Sequence, residues 1–135
     1  MANKQSAAEW LMKAYHDLSS ARVLYAAEHY TDTIASALQQ ALEKSLKSFW
    51  AYDNKPIKKT HNLIDVYELV TNRIQLKESQ VRILAIATTY YIQDRYPSPV
   101  DLPPREQIKE VLDFAEVLFS RICQILDIKE HDVMK

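Results

Sequence analysis

With 47% hydrophobic and 26% charged residues in 135, the chain has the length and composition of one globular domain, and is neither disordered nor fibrous. It contains no glycine, which excludes Gly-rich phosphate loops and dinucleotide fingerprints and argues against a hairpin-rich β fold. A net charge of -1 gives no global attraction to nucleic acid or anionic membrane, so any such binding must come from a local patch.

The apolar spacing predicts helices throughout. Ser6 with Glu9 three residues on forms a capping box for a first helix from about Ala7 to Glu28, carrying Leu11, Ala14, Tyr15, Leu18, Ala21 and Tyr25 at three- and four-residue intervals. His29 and Tyr30 make a link so short that the next helix must run back antiparallel, with Thr31 or Asp32 as its cap. This second helix, reaching to Asp53, is the organising element: Ile34, Leu38, Ala41, Leu42, Leu46 and Phe49 share one arc, which widens to about half a turn with Trp50. Gln40, Glu43, Lys44 and Lys47 fall opposite, on a face expected to meet water. Asn54 suits a left-handed end and Pro56 stops the helix.

Thr60 is the expected cap of a shorter third helix carrying Leu63, Val66, Tyr67, Val70 and Ile74. Ser79 starts a fourth, running to Tyr91, which is apolar nearly all round and so predicts the least exposed element or a subunit interface. Four of the five prolines lie between Gln93 and Pro104, predicting a stiff extended connection. Asp101 then caps a last helix reaching about Ile128, with Pro103 and Pro104 in its first turn, and the remaining tail is expected to fray. The fold class is therefore all-α: an antiparallel up-and-down four-helix bundle with a short extra helix, in a single domain over residues 1–135.

Cys123 stands alone in an apolar pattern, which rules out an internal disulfide and suits a reducing compartment. No run approaches ~18 consecutive apolar residues and the N-terminus lacks a signal-peptide core, so a cytoplasmic protein without membrane partners is expected. His16, His29, His61 and His131 have no metal-ligand spacing and no cysteine nearby, so neither a metal nor a cofactor is expected. An over-wide apolar arc on the second helix and an all-round apolar fourth helix predict a homodimer.

Three groups are candidate ligand contacts. Arg95 and Tyr96, stiffened by Pro97 and Pro99 and preceded by Tyr90 and Tyr91, could grip a phosphate and stack a base; the alternative is that the tyrosines pack and Arg95 pairs with Asp94 or a helix end. Lys44 and Lys47, with Lys55, Lys58 and Lys59 in the next loop, could form a basic surface, although Glu43 to Lys47 also reads as an ordinary i,i+4 ion pair. His61 beside Thr60 could meet a phosphate or carry a proton, or be a plain surface histidine.

Trp10-Leu11, Ala14, Asp17-Leu18 and Ala21, then Gln39-Gln40-Ala41 with Glu43-Lys44 and Lys47, Thr60-His61 with Leu63, and Tyr90-Tyr91 followed by Arg95-Tyr96-Pro97 together resemble the prokaryotic HEPN domain of the type associated with minimal nucleotidyltransferases. The resemblance spans about residues 6 to 128. It implies a helical bundle, a homodimer, and a minimal nucleotidyltransferase as partner in a toxin–antitoxin or nucleotide-handling pair. RNA-cutting members share an arginine followed at short range by a histidine near the start of the later helices. Here Arg82, Arg95 and Arg105 have no such histidine, and Arg22 with His29 matches only numerically, at the end of the first helix. The reading is a subunit that binds nucleotide or RNA beside a nucleotidyltransferase. The alternatives are a metal-independent endoribonuclease toxin using Arg95 with His61, and a helical adaptor.

Overall fold

A computed structural model describes residues 2–95 and 102–135, with only the helical backbone described at 92–95. Its elements are α1 (Lys4–Ala26), α2 (Thr31–Tyr52), α3 (Leu63–Glu68), α4 (Glu78–Arg95), α5 (Arg105–Ile125) and α6 (Glu130–Val133). Four long helices make the expected up-and-down bundle, and two short ones attach to it.

Helix α1 starts three residues earlier than its sequence pattern suggests, because the Asn3 side chain, and not Ser6, caps it, accepting from the Ser6 N–H at 3.0 Å. Its buried residues Ala7, Leu11, Ala14, Leu18 and Ala21 alternate at spacings of four and three, a heptad stripe in which small and large residues take turns. Helix α2 lies at the centre, packed against α1, α3, α4 and α5. Two adjacent heptad stripes, Ile34, Leu38, Ala41, Ser45, Ser48 and Ala35, Gln39, Leu42, Leu46, Phe49, are buried along it. Burial then continues onto the face expected to be solvated, where Glu43 and Lys47 are 9% and 3% exposed. One core joins all six helices.

Three helices end alike. Beyond α1, α2 and α5, Glu28, Asn54 and Asp127 take φ of 57°, 55° and 55°, as expected for Asn54. In each case the next N–H reaches back to a carbonyl of the last turn: His29 to Leu24, Lys55 to Trp50 and Ile128 to Cys123, at 3.0, 2.9 and 2.9 Å. With the three-residue bonds from Glu28, Asn54 and Asp127 themselves to Tyr25, Ala51 and Gln124, these are Schellman closures built without glycine.

Elsewhere the details depart from the sequence pattern. Asn62 caps α3, accepting from Ile64 and Asp65 N–H groups at 3.0 and 3.2 Å, while Thr60 only supports the turn before it. The helix closes after six residues, yet Val70 and Ile74 still reach the core. Helix α4 is not the least exposed element: among its described side chains only Leu84, Ala87 and Tyr90 are buried, with Ile83 and Ile86 half-covered. Pro104 occupies the cap position of α5, and the expected cap Asp101 lies outside the described residues. Instead, Arg105 ties the start of α5 to α1, donating to the Tyr25 carbonyl at 3.0 Å and lying 4.3 Å from the centre of its ring.

The tail does not fray. It forms α6, buries Val133 completely, and is held by Ser120 donating to Glu130 at 2.8 Å and by His16 Nε2 meeting the Lys135 carbonyl at 2.6 Å.

Candidate functional site

On α2, Gln39, Glu43 and Lys47 follow one another at four-residue spacing and therefore stack along one line of the helix. That line would be solvated if the chain after Pro56 ran away from it. Instead the segment before α3 folds back over it, and His61 lands against Glu43, His61 Nδ1 lying 2.8 Å from Glu43 Oε1.

Both Glu43 oxygens are engaged. Lys47 Nζ donates to Oε2 at 3.0 Å, and Gln39 Nε2 donates to Oε1 at 3.0 Å and to the His61 carbonyl at 3.1 Å. Burial, the largest influence on Glu43, would raise its pKa. Hydrogen bonds from Gln39, His61 and Lys47, with the Lys47 charge, outweigh it and hold the carboxyl below its ordinary value. The result is a buried anion matched by a buried cation, with no buried side-chain polar atom left unsatisfied among the described residues.

Above this network lies a pocket of about 300 Å3 lined by Ser36, Gln39, Gln40, Glu43, Lys44, His61 and Tyr91. Tyr91, from α4, stacks on the His61 ring with centroids 4.1 Å apart and planes 16° from parallel. Lys44 Nζ donates to Asp17 Oδ2 of α1 at 2.7 Å. The lining thus offers an aromatic wall, two bifunctional polar side chains in Ser36 and Gln40, and a cation half-neutralised by its partner.

His61, Tyr91 and Lys44 are therefore brought together, while Tyr90 and Lys47 serve the interior. Tyr90 is 1% exposed and donates to Gln107 at 2.5 Å, and burial, with the Glu110 charge adding to it, pushes its phenol well above the ordinary value. Lys47 is spent on Glu43 and does not line the pocket. Among the loop lysines, Lys55 and Lys58 border a separate hollow with Trp50, Pro56 and Leu69. The side chain of Arg95, and Tyr96 entirely, lie outside the described residues. Arg22 is paired with Glu116 at 3.0 Å, in keeping with a coincidental match to His29.

Ser36, Gln39 and Glu43 were not among the sequence candidates. For Gln39 and Glu43 the signal was a polar line, continued by Lys47 at four-residue spacing, on a helix apolar over about half its girth. Among the described residues no group of three or more His, Cys, Asp or Glu side chains could hold a metal, and no helix is long and apolar enough to cross a membrane.

Comparison with known proteins places this architecture. TT1696 from Thermus thermophilus is similar at a TM-score of 0.76 and 25% identity, covering 88% of this chain and 97% of that one. ST0689, an archaeal HEPN homologue, shares the fold at a TM-score of 0.66 and 17% identity, over 90% of this chain and 98% of its own. No curated protein matches the chain. A family model described as HEPN domain matches residues 7–126, nearly the whole bundle, and the chain therefore belongs to the HEPN domain family.

Proposed function

We propose that this HEPN chain is a binding subunit that takes a nucleotide, or one nucleotide of a single-stranded RNA, in the pocket between α2 and the His61–Tyr91 pair. The observation that carries this reading is the stacked His61–Tyr91 wall facing Gln40, Ser36 and Lys44 across about 300 Å3, the lower end of the usual volume for a small-molecule site. Aromatic faces hold bases of any sequence, and Lys44 can turn from Asp17 toward a phosphate. Arg95 and Tyr96 remain proposed phosphate and base contacts.

The sequence resemblance supports the wider setting: one HEPN domain over residues 1–135, cytoplasmic, working as a homodimer beside a minimal nucleotidyltransferase in a toxin–antitoxin type pair. Half-covered Ile83 and Ile86, one turn apart on α4, supply apolar surface for the dimer. Light scattering of the pure protein tests the dimer, and co-purification from the native cell tests the partner.

Calorimetric titration with a panel of mononucleotides and a short unstructured RNA tests the pocket. Tyr91→Ala should weaken binding by ~1–3 kcal/mol, the worth of one stacked base. Absence of binding by every ligand at millimolar concentration refutes the reading. An endoribonuclease is the second reading, favoured by one observation: a carboxylate holding His61 Nδ1 is the arrangement that makes a histidine a general base. Cleavage of RNA in EDTA that disappears in His61→Ala would decide for it.

A further inference from the structure

The hydrogen-bond network beneath the pocket fixes which atoms donate to Glu43. The His61 carbonyl oxygen can only accept, so the Gln39 group 3.1 Å from it must be the amide NH2, as assigned. The same NH2 meets Glu43 Oε1, and Lys47 can only donate to Oε2. Glu43, held in its ionised form by these donors, is itself an acceptor at both oxygens. His61 Nδ1, 2.8 Å from Oε1, must then carry a proton.

We infer that Glu43 fixes His61 as the Nδ1–H tautomer, so that its unprotonated Nε2 makes the pocket selective for a nucleobase with an amino group at the purine 6 or pyrimidine 4 position, adenine or cytosine. The inference rests on the pocket being a nucleotide site, as proposed above, and names the class of base it takes.

Three observations carry it beyond the tautomer itself. His61 Nε2 has no hydrogen-bond partner among the described residues, and the ring lines the pocket with its side chain 43% exposed. Tyr91 covers one ring face, and the lone pair of Nε2 lies in the ring plane, so a ligand meets the nitrogen at the ring edge, where only a hydrogen-bond donor is welcome. Gln40, on the same lining, supplies a donor for the ring nitrogen that neighbours such an amino group, which leaves Lys44 for the phosphate. Uracil and hypoxanthine place a carbonyl oxygen where cytosine and adenine carry the amino group, and two lone pairs then face each other.

The test pairs CMP with UMP and AMP with IMP, titrated calorimetrically into the full chain near pH 7. Each amino-bearing member should bind about tenfold tighter than its carbonyl counterpart, the worth of one net hydrogen bond. In Glu43→Gln, whose amide can present either oxygen or NH2 to Nδ1, the preference should fall toward none. Equal binding within both pairs would overturn the selectivity and leave the nucleotide pocket standing, whereas no binding by any of the four would overturn both. If the variant does not fold, a two-bond proton–nitrogen correlation spectrum of the wild-type imidazoles decides on its own. The Nδ1–H pattern for His61 is expected, and either the Nε2–H tautomer or a doubly protonated ring overturns the inference.

Discussion

Replacing Lys47 by methionine tests whether the interior of α2 is held by charge. The Lys47 side chain is 4% exposed and its ammonium donates to Glu43 Oε2, which belongs to a side chain 12% exposed. Removing one member of such a pair strands the other in a poorly solvated place, at a typical cost of ~3–5 kcal/mol. Gln39 and His61 still donate to Oε1 and methionine fills most of the vacated volume, so the lower end applies, ~3 kcal/mol. For a domain between the usual size classes this corresponds to a fall in melting temperature of roughly 10 °C.

Urea unfolding followed by far-UV circular dichroism measures it. The pH dependence supplies a second signature. Glu43 is held below its ordinary pKa of 4.5, so the stability it contributes is full above that value and is lost as pH falls through the lower folded value. In Lys47→Met that carboxyl protonates more readily, so the gap between variant and wild type should shrink as pH drops from near neutrality to below 4.5. A loss under ~1 kcal/mol, or a gap that stays flat with pH, would mean that Lys47 reaches water and the pair is screened.

Leu38→Asp, at a position with no exposure, should cost more than ~4 kcal/mol and abolish a cooperative melt, and a wild-type melting temperature would show that the buried face of α2 is misplaced. Cys123 is buried, and burial, with the Glu130 charge adding to it, pushes its thiol up to about 12; iodoacetamide should leave it untouched in the folded chain and modify it in urea. Fast labelling of the folded chain would mean that the α5–α6 corner opens. Val133→Asp should lower stability by ~2–3 kcal/mol, because α6 has Val133 as its buried anchor; an unchanged urea midpoint would show that the tail does not add to the fold.

The bundle was legible because α1, α2 and α5 repeat their apolar residues over many turns, and a missing glycine left little room for anything but helices. Local ends were less so. Asn3 and Ser6, or Thr60 and Asn62, are equally good caps in isolation, and Asn3 prevails because its N–H also bonds the Tyr52 carbonyl, 2.8 Å away across the bundle. A lone valine among charged residues cannot announce a four-residue helix such as α6. Reading charge as solvated failed at Glu43 and Lys47, because what covers them is His61, eighteen residues further on, and no periodicity within α2 encodes that return. His61, Tyr91 and Lys44 were found by residue type; that they share one pocket is a tertiary fact.

The three left-handed helix ends carry a different message. A residue with a Cβ is held there at a cost of ~1–2 kcal/mol that glycine would not incur. At two of them the side chain explains its own presence. Asn54 Oδ1 accepts from the Asn3 side chain at 3.2 Å, and Asp127 meets Lys4 Nζ through both its carbonyl and Oδ2, at 3.0 and 3.1 Å. The closing turns of α2 and α5 thus act as two clasps on the first residues of α1, so that a helix which could peel away from its open end is fastened at the point where peeling would begin. Glu28, which closes α1 itself, has no such duty among the described residues. Of the three positions it is the one where glycine would relieve the backbone without unfastening the bundle.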